Sequence, residues 1–381
     1  MQIQTPAIAG EQILVPAIPE NTGISYLAEG GANIVYRISV PDPSPPPSVI
    51  EEYGDDTPPP TEINDVEEKI ASVAALNVFD NKLLRARKDL PTTVSCAVSH
   101  ANWLRLIVCL FEPAQLVQQC LVQLRPAKVT EHLNQKLLSW EHSSMKGSLS
   151  SPDIRPAKRH GVYLADDLYG LLITDMSPGH GDEVIQFKPK WLLQSPSAPA
   201  GAKRCRTCAK VARTAAKLAR ENPGATKKGF CPLDLVSENS RDISWVISQL
   251  GGNPSKALRL QRWLESNTLL KRLRDAQCNL DRKGTFETDP GDESFRLAMT
   301  LRDCSLYVRL PVDGKDDDKI EARIGDLDLK SPDKGDYWKT VERQLIDEGW
   351  YMGTEKKEDL QPLTCSLSPD RWSVIGKRPT I

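Results

Sequence analysis

Residues 41–62 read PDPSPPPSVIEEYGDDTPPPTE, and no other stretch limits so strongly what this chain can fold into. Proline removes the backbone donor that a sheet ladder needs, and acidic residues without apolar neighbours cannot bury a core. The segment is expected to be a disordered surface insertion. Just before it, 24–40 (ISYLAEGGANIVYRISV) has the pattern of strand, glycine turn and strand, with Ile34, Val35, Tyr36 and Ile38 β-prone. Order is expected to resume at 79–90, FDNKLLRARKDL, as a strand carrying Lys82, Arg85, Arg87 and Lys88.

Farther along, the apolar spacing from Asn102 to Glu141 is helical. Leu104, Ile107, Val108 and Leu110 share a face, and Leu116, Val117, Cys120, Leu121 and Leu124 extend it. Segments 160–176 and 182–193 are expected to be two strands of one sheet. Helices are predicted over 202–220, from about Ser237 to Leu250 with Gly251 and Gly252 as the stop, and over 255–276. Then 295–310 and 320–330 look like strands, and 331–352 like a helix. Together these give an α+β class in two lobes, a β-rich N-terminal lobe over 1–178 and a mixed C-terminal lobe over 179–381.

A net charge of −2 argues against a generally basic nucleic-acid binder, so any anion site must be local. No apolar run approaches the roughly 20 residues of a membrane span, and the N-terminus lacks the charged head and apolar core of a secretory signal. Nine cysteines, an odd number, suit a reducing compartment better than a disulfide framework. Cytosol or nucleus is the expected location.

Four features carry chemistry. In FKPKW, Lys188 and Lys190 flank Pro189, so an extended chain points both ammonium groups to one face, where like charges repel unless an anion faces them. Pro189 suits an edge or ladder-free position. In AEGGANIVYRI, Gly30 and Gly31 leave room for close approach of a ligand, as phosphate-covering loops require, although a glycine hairpin turn is the simpler reading. RDCS and GDLDLK place Asp303, Asp326 and Asp328 near strand ends; one carboxylate as base and another on Mg²⁺ is the minimum for phosphoryl transfer. CRTC, with Cys205 and Cys208, has the spacing of a structural zinc site, and Cys231 is a third candidate ligand. A fourth would have to be His160 or His180; the alternative is ordinary reduced thiols.

In chain order, the pieces EGGANIVYRI, KLLRARK, Arg155-Pro156, FKPKW, CPLDLVS, RDCS and DLDLK resemble the inositol-pentakisphosphate 2-kinase family, in its animal and fungal form. The resemblance spans nearly the whole chain. It implies a distant protein-kinase-like fold and transfer of the ATP γ-phosphoryl group to the axial 2-hydroxyl of inositol 1,3,4,5,6-pentakisphosphate, giving the hexakisphosphate. ATP and Mg²⁺ are the implied cofactors, and a monomer without membrane or nucleic-acid partners is expected. By motif, Gly30, Gly31, Ala32 and Asn33 would lie over the ATP phosphates, with Arg85 reaching them and Asp175 near the nucleoside. Gln186 stands where the family usually has an acid that meets the ribose. Arg155, Lys188 and Lys190 would grip substrate phosphates, as would Lys330, Lys334, Asn267 and Lys271, with Trp338 on the same last segment. Asp303, with Lys188, would carry catalysis, and Asp326 would hold Mg²⁺. A pentakisphosphate demands such a lining of cations, which this near-neutral chain supplies locally.

Two other classes fit parts of the pattern. A kinase for another inositol phosphate shares the motifs, because pocket shape sets the acceptor. A non-catalytic binder of phytate-like anions is disfavoured by the presence of both Asp303 and Asp326. No HRD loop or DFG triplet marks a protein kinase, and an aromatic content of 6% offers little for base stacking.

Overall fold

Strands dominate where β-branched and aromatic residues alternate with polar ones. A computed structural model describes residues 15–41, 78–145, 155–179, 181–227, 229–250, 254–311 and 320–376. The proline-rich stretch from 42 onward, His180, Gly251 and Gly252 lie outside these. Strands β1 (Gly23–Glu29), β2 (Asn33–Ser39), β3 (Lys82–Arg87), β4 (Gln119–Gln123) and β5 (Tyr169–Thr174) form one antiparallel sheet in the order β1-β2-β3-β5-β4. Ile34, Tyr36, Leu84, Ala86 and Leu172 turn one face of it to Leu133 and Leu137 of helix α2 (Val129–Met145), which makes the core of this part. Arg85 stands opposite Val35 and Leu171, on the other face.

A second antiparallel sheet, in the order β6-β7-β8, joins Glu183–Phe187, Ser305–Leu310 and Glu321–Gly325. Its core includes Phe187, Leu306, Val308 and Ile324, packed with apolar residues of the helices around it. The helices that follow α2 are α3 (Arg206–Glu221), α4 (Ser240–Leu250), α5 (Pro254–Ser266), α6 (Leu269–Leu280), α7 (Glu293–Leu301), α8 (Gly335–Asp347) and α9 (Arg371–Gly376). Helix α1 (Cys96–Leu106) precedes them. The chain divides into two compact units, one reaching to His100 and including Gln118–Asp175, the other made of Ala101–Val117 and Met176 onward. The class is therefore mixed α+β. No helix among the described residues is long and apolar enough to cross a membrane.

Four local expectations are corrected. The apolar run at 116–124 is no helix: Gln119–Gln123 is strand β4, paired to β5. A run this short satisfies helical and extended spacing alike, and the partner strand decides. Segments 160–176 and 182–193 supply strands to different sheets, β5 to the first and β6 to the second. Finally, 295–301 belongs to helix α7, whose N-cap Asp292 accepts a hydrogen bond from Phe295 N at 2.9 Å, and only Ser305 onward is strand. The 255–276 region is two helices, parted at Asn267 and Thr268.

Candidate active site

The register of the second sheet brings distant residues to one edge. Phe187 ends β6 opposite Leu306, and Ser305 opens β7 opposite Gly325, the last residue of β8. Lys188 therefore leaves β6, Asp303 approaches β7 and Asp326 leaves β8 at the same end. Pro189 lies just beyond the last ladder pair, where a missing N–H costs nothing. Lys190 and Asp326 adopt left-handed backbone angles, φ +62° and +59°. Such angles in non-glycine residues cost of order 1–3 kcal/mol and survive where neighbours fix them.

Three ammonium groups converge on Asp303. Lys190 Nζ donates to Oδ1 at 3.0 Å and Lys330 Nζ to Oδ2 at 2.8 Å. Lys188 Nζ donates to the Asp303 carbonyl at 2.6 Å and to Asp326 Oδ2 at 2.8 Å. Burial pushes the Asp303 carboxyl up, but Lys330, Lys190 and Lys188 together outweigh it and hold the group well below the usual carboxylate range. Burial alone would lower Lys188, whereas Asp326 and Asp303 raise it above an ordinary lysine. Lysines 188 and 190 thus share a face, and within the protein that face meets a carboxylate. The side chains of Asp303 and Asp326 are 42% and 45% exposed, so the charges are open to solutes.

In the first unit, the Gly30–Asn33 turn joins β1 to β2. Its carbonyls are held from within: Lys88 Nζ donates to Gly30 O at 2.9 Å and Lys88 N to Ala32 O at 2.8 Å. Neither Gly30 nor Gly31 has a positive φ, and a Cβ at Gly31 would meet nothing within 4 Å. The turn itself does not require glycine at these positions, so the space they leave is open to a ligand. Behind the turn lies a buried charge cluster. Lys88 pairs with Glu29, and Arg155 pairs with Glu29 (Nε to Oε1, 2.9 Å) and with Glu141. Arg155 also donates to the Val162 carbonyl, and its side chain is 1% exposed. This is the interior of the first unit, not an open phosphate site.

The other sequence candidates have diverse surroundings. Arg85 is buried on β3. Asp175, at the end of β5, lies 3.8 Å from Arg37 and lines a pocket of about 540 Å³ with Ile24, Ile38 and Lys82. Gln186 is exposed on β6 and donates to the Tyr307 hydroxyl at 3.3 Å. Asn267 spends its amide on the chain, donating to Leu264 O at 2.7 Å and accepting from Leu270 N at 2.9 Å, which starts α6. Lys271 is exposed and borders a second pocket of about 420 Å³ with Asn267, Ser237 and Ser240. Lys334 is exposed at the end of the short 3-10 turn Pro332–Lys334. Trp338 is buried with Trp191, Phe295 and Met299, so it packs behind the lysine segment.

The thiols of Cys205, Cys208, Cys231 and Cys365 lie within 4.8 Å of one another. The fourth candidate ligand is thus Cys365, far along the chain, and His160 is not in the group. His160 instead sits 3.2 Å from the Arg155 carbonyl. Sequence spacing could not link Cys365 to a pair 157 residues upstream (365 − 208); only its being another cysteine hinted at it.

The family model described as inositol-pentakisphosphate 2-kinase matches residues 26–262 and 257–344. The inositol-pentakisphosphate 2-kinase of Yarrowia lipolytica is 35% identical over 171 residues, 44% of this chain and 53% of that protein. That of Candida glabrata is 25% identical over 205 residues, 52% of this chain and 66% of that protein. The chain therefore spans about half to two thirds of the length of these curated relatives. With the family model covering most of its length, the glycine turn and the lysine–aspartate cluster included, the chain belongs to the inositol-pentakisphosphate 2-kinase family.

Proposed function

We propose that this protein transfers the γ-phosphoryl group of ATP to the 2-hydroxyl of inositol 1,3,4,5,6-pentakisphosphate, giving the hexakisphosphate. The observation that carries this reading is the convergence of Lys188, Lys190 and Lys330 on Asp303, beside Asp326. Asp303 is the base that accepts the hydroxyl proton, for which it must come within about 3 Å of the acceptor oxygen. Lys188, Lys190 and Lys330 neutralise phosphate oxygens, as does exposed Lys334. Within the protein these lysines pair with the aspartates. Incoming phosphates compete for them, and every ammonium drawn away leaves Asp303 more basic when the hydroxyl arrives. Asp326, a hard oxygen donor with an open carboxylate, suits Mg²⁺, which when bound supplies further charge neutralisation. The Gly30–Asn33 turn covers the ATP phosphates, with Arg85 and Asp175 on the same nucleotide. The two compact units are read as lobes of a distantly protein-kinase-like fold. Arg155, buried against Glu29 and Glu141, is read as a support behind the glycine turn.

Four thiols from three chain segments also suit a structural zinc ion. Tetrahedral Zn²⁺ with Zn–S of about 2.3 Å sets its sulfurs about 3.8 Å apart. Cys205 to Cys231 is 4.0 Å and Cys231 to Cys365 is 3.7 Å, too long for any disulfide and right for one shared ion. Cys205 N donates to Cys365 Sγ at 3.1 Å, a contact that favours a thiolate. The ion would take no part in transfer.

The test of the activity is an acceptor screen with purified protein, ATP and Mg²⁺. Inositol pentakisphosphate should yield hexakisphosphate, and Asp303→Asn should lower turnover by about 10²-fold or more with the fold intact. Transfer only to another inositol phosphate would overturn the acceptor, and tight binding without any transfer would overturn the kinase reading.

A further inference from the structure

We propose that Gln277 is a positioning residue that sets the geometry between Lys190 and Asp303, an inference that rests on reading Asp303 as the base. The β6–β7 ladder ends at the Phe187–Leu306 pair, so no backbone pairing holds Lys190 where it is needed. Lys190 moreover keeps a left-handed φ of +62°. One side chain bridges the gap. Gln277, fully buried on α6, donates from Nε2 to Lys190 O at 3.0 Å and to Leu301 O at 3.2 Å, and accepts from Leu192 N at 3.0 Å. Two carbonyls and one N–H fix the amide orientation, because the flipped amide would set its oxygen against two acceptors. Leu301 is two residues before Asp303. A single amide therefore joins the peptide of the cation to the segment that carries the base.

A second contact repeats the connection with side chains. Trp191, next to Lys190, has the Arg302 guanidinium 3.7 Å from its ring centroid and that of Arg206 at 4.4 Å. Arg302, next to Asp303, donates to Asp281 Oδ2 at 2.6 Å and to the Gln277 carbonyl at 3.4 Å. Arg206 is paired in turn with Glu342. An apolar residue of similar volume would fill the site of Gln277 equally well, whereas only an amide can donate twice and accept once there. Its removal frees the Lys190 peptide to relax to a negative φ, and the ammonium then leaves Asp303 Oδ1.

The test compares wild type with Gln277→Met, Lys190→Met and the double variant, all checked for folding by near-UV circular dichroism. Gln277→Met should lower kcat by up to about a hundredfold, the scale of an ångström misplacement. KM for ATP should stay within about threefold, and the double variant should be no slower than Lys190→Met alone. Independent losses that multiply in the double variant would overturn the proposal. A second arm needs no activity: amine acylation read by mass spectrometry should label Lys190 several-fold faster in Gln277→Met, with exposed Lys217 as the unchanged reference. Unaltered Lys190 labelling would overturn the proposal even if kcat fell. Wild-type protein that labels as expected but turns over no inositol phosphate would sink the kinase reading and leave the tether standing. Gln277→Glu, which sets a carboxylate against two carbonyls, gives the same comparison if the Met variant does not accumulate.

Discussion

At the scale of single residues, the lysine–aspartate cluster shows how charge is held ready. Lys188, Lys190 and Lys330 are solvent-accessible cations whose repulsion is cancelled by Asp303 and Asp326. Removing one lysine leaves those carboxylates less balanced, but the site is open to water, so stability should change little. Lys188→Met should therefore raise KM for the inositol phosphate, and Lys190→Met should lower kcat at least as far as Gln277→Met, both at a near-constant melting temperature, measured by steady-state kinetics beside a thermal melt. The glycine turn gives an independent prediction. Gly31 has ordinary φ and empty space around its Cβ direction. Gly31→Ala should leave the melting temperature unchanged or slightly raised, by up to about 1 kcal/mol of stability. If the turn covers ATP phosphates as proposed, the substitution should weaken ATP binding, read by titration calorimetry, because the methyl would enter the space open at Gly31. Unaltered ATP affinity would return the pair to a plain hairpin turn.

At the scale of elements, buried charge is the exposed cost of the first unit. Glu29 closes β1, Lys88 follows β3, Glu141 lies on α2 and Arg155 stands between α2 and β5, so one ionic cluster ties four segments. Burial pushes the Glu29 carboxyl up, but Arg155 and Lys88 outweigh it and keep it below its ordinary value of 4.5; Glu141 is held down likewise by Tyr163, Gly161 and Arg155. Such groups bind protons more tightly in the unfolded chain. Their stabilisation is present above about pH 4.5 and is lost as pH falls through the lower folded values. The first unit should therefore lose stability on acidification, as seen in melting temperatures from pH 6 to 3. Glu29→Gln should flatten that dependence and cost about 3–5 kcal/mol at neutral pH, because it strands the buried Lys88 ammonium and leaves Arg155 with Glu141 alone. From sequence, Lys88 and Arg155 were legible only as basic residues in motifs. Glu29 and Glu141 carried no signal, because an acid at a strand end or in a helix is ordinary until its partner is known.

At the scale of the whole molecule, the cysteine group brings the C-terminal segment against earlier parts of the second unit. Cys365 meets Cys205, Cys208 and Cys231, and nearby Arg371 on α9 is paired with Asp234 and Asp242. Metal analysis of the purified protein should find one zinc per chain, lost in Cys365→Ser, and a strong chelator should lower the melting temperature. Stoichiometric iron, or four thiols freely titrated in the native protein with no metal, would overturn the assignment. Sequence by itself determined what is local and chemical: the glycine hairpin, the KPK unit, the two aspartates, the cysteine pair and hence the family. Alternation and motif spacing act over a few residues, and these features need no more. It missed β4 and the start of α7, because a short apolar run has no preference until a partner strand or a cap appears. Only the tertiary structure decided that three strand ends share one edge, that Cys365 is the fourth thiol, and that Arg155 is buried while Gln277 joins Lys190 to the segment of Asp303. Each of those facts depends on residues far apart in the chain, which meet only when register and packing are fixed.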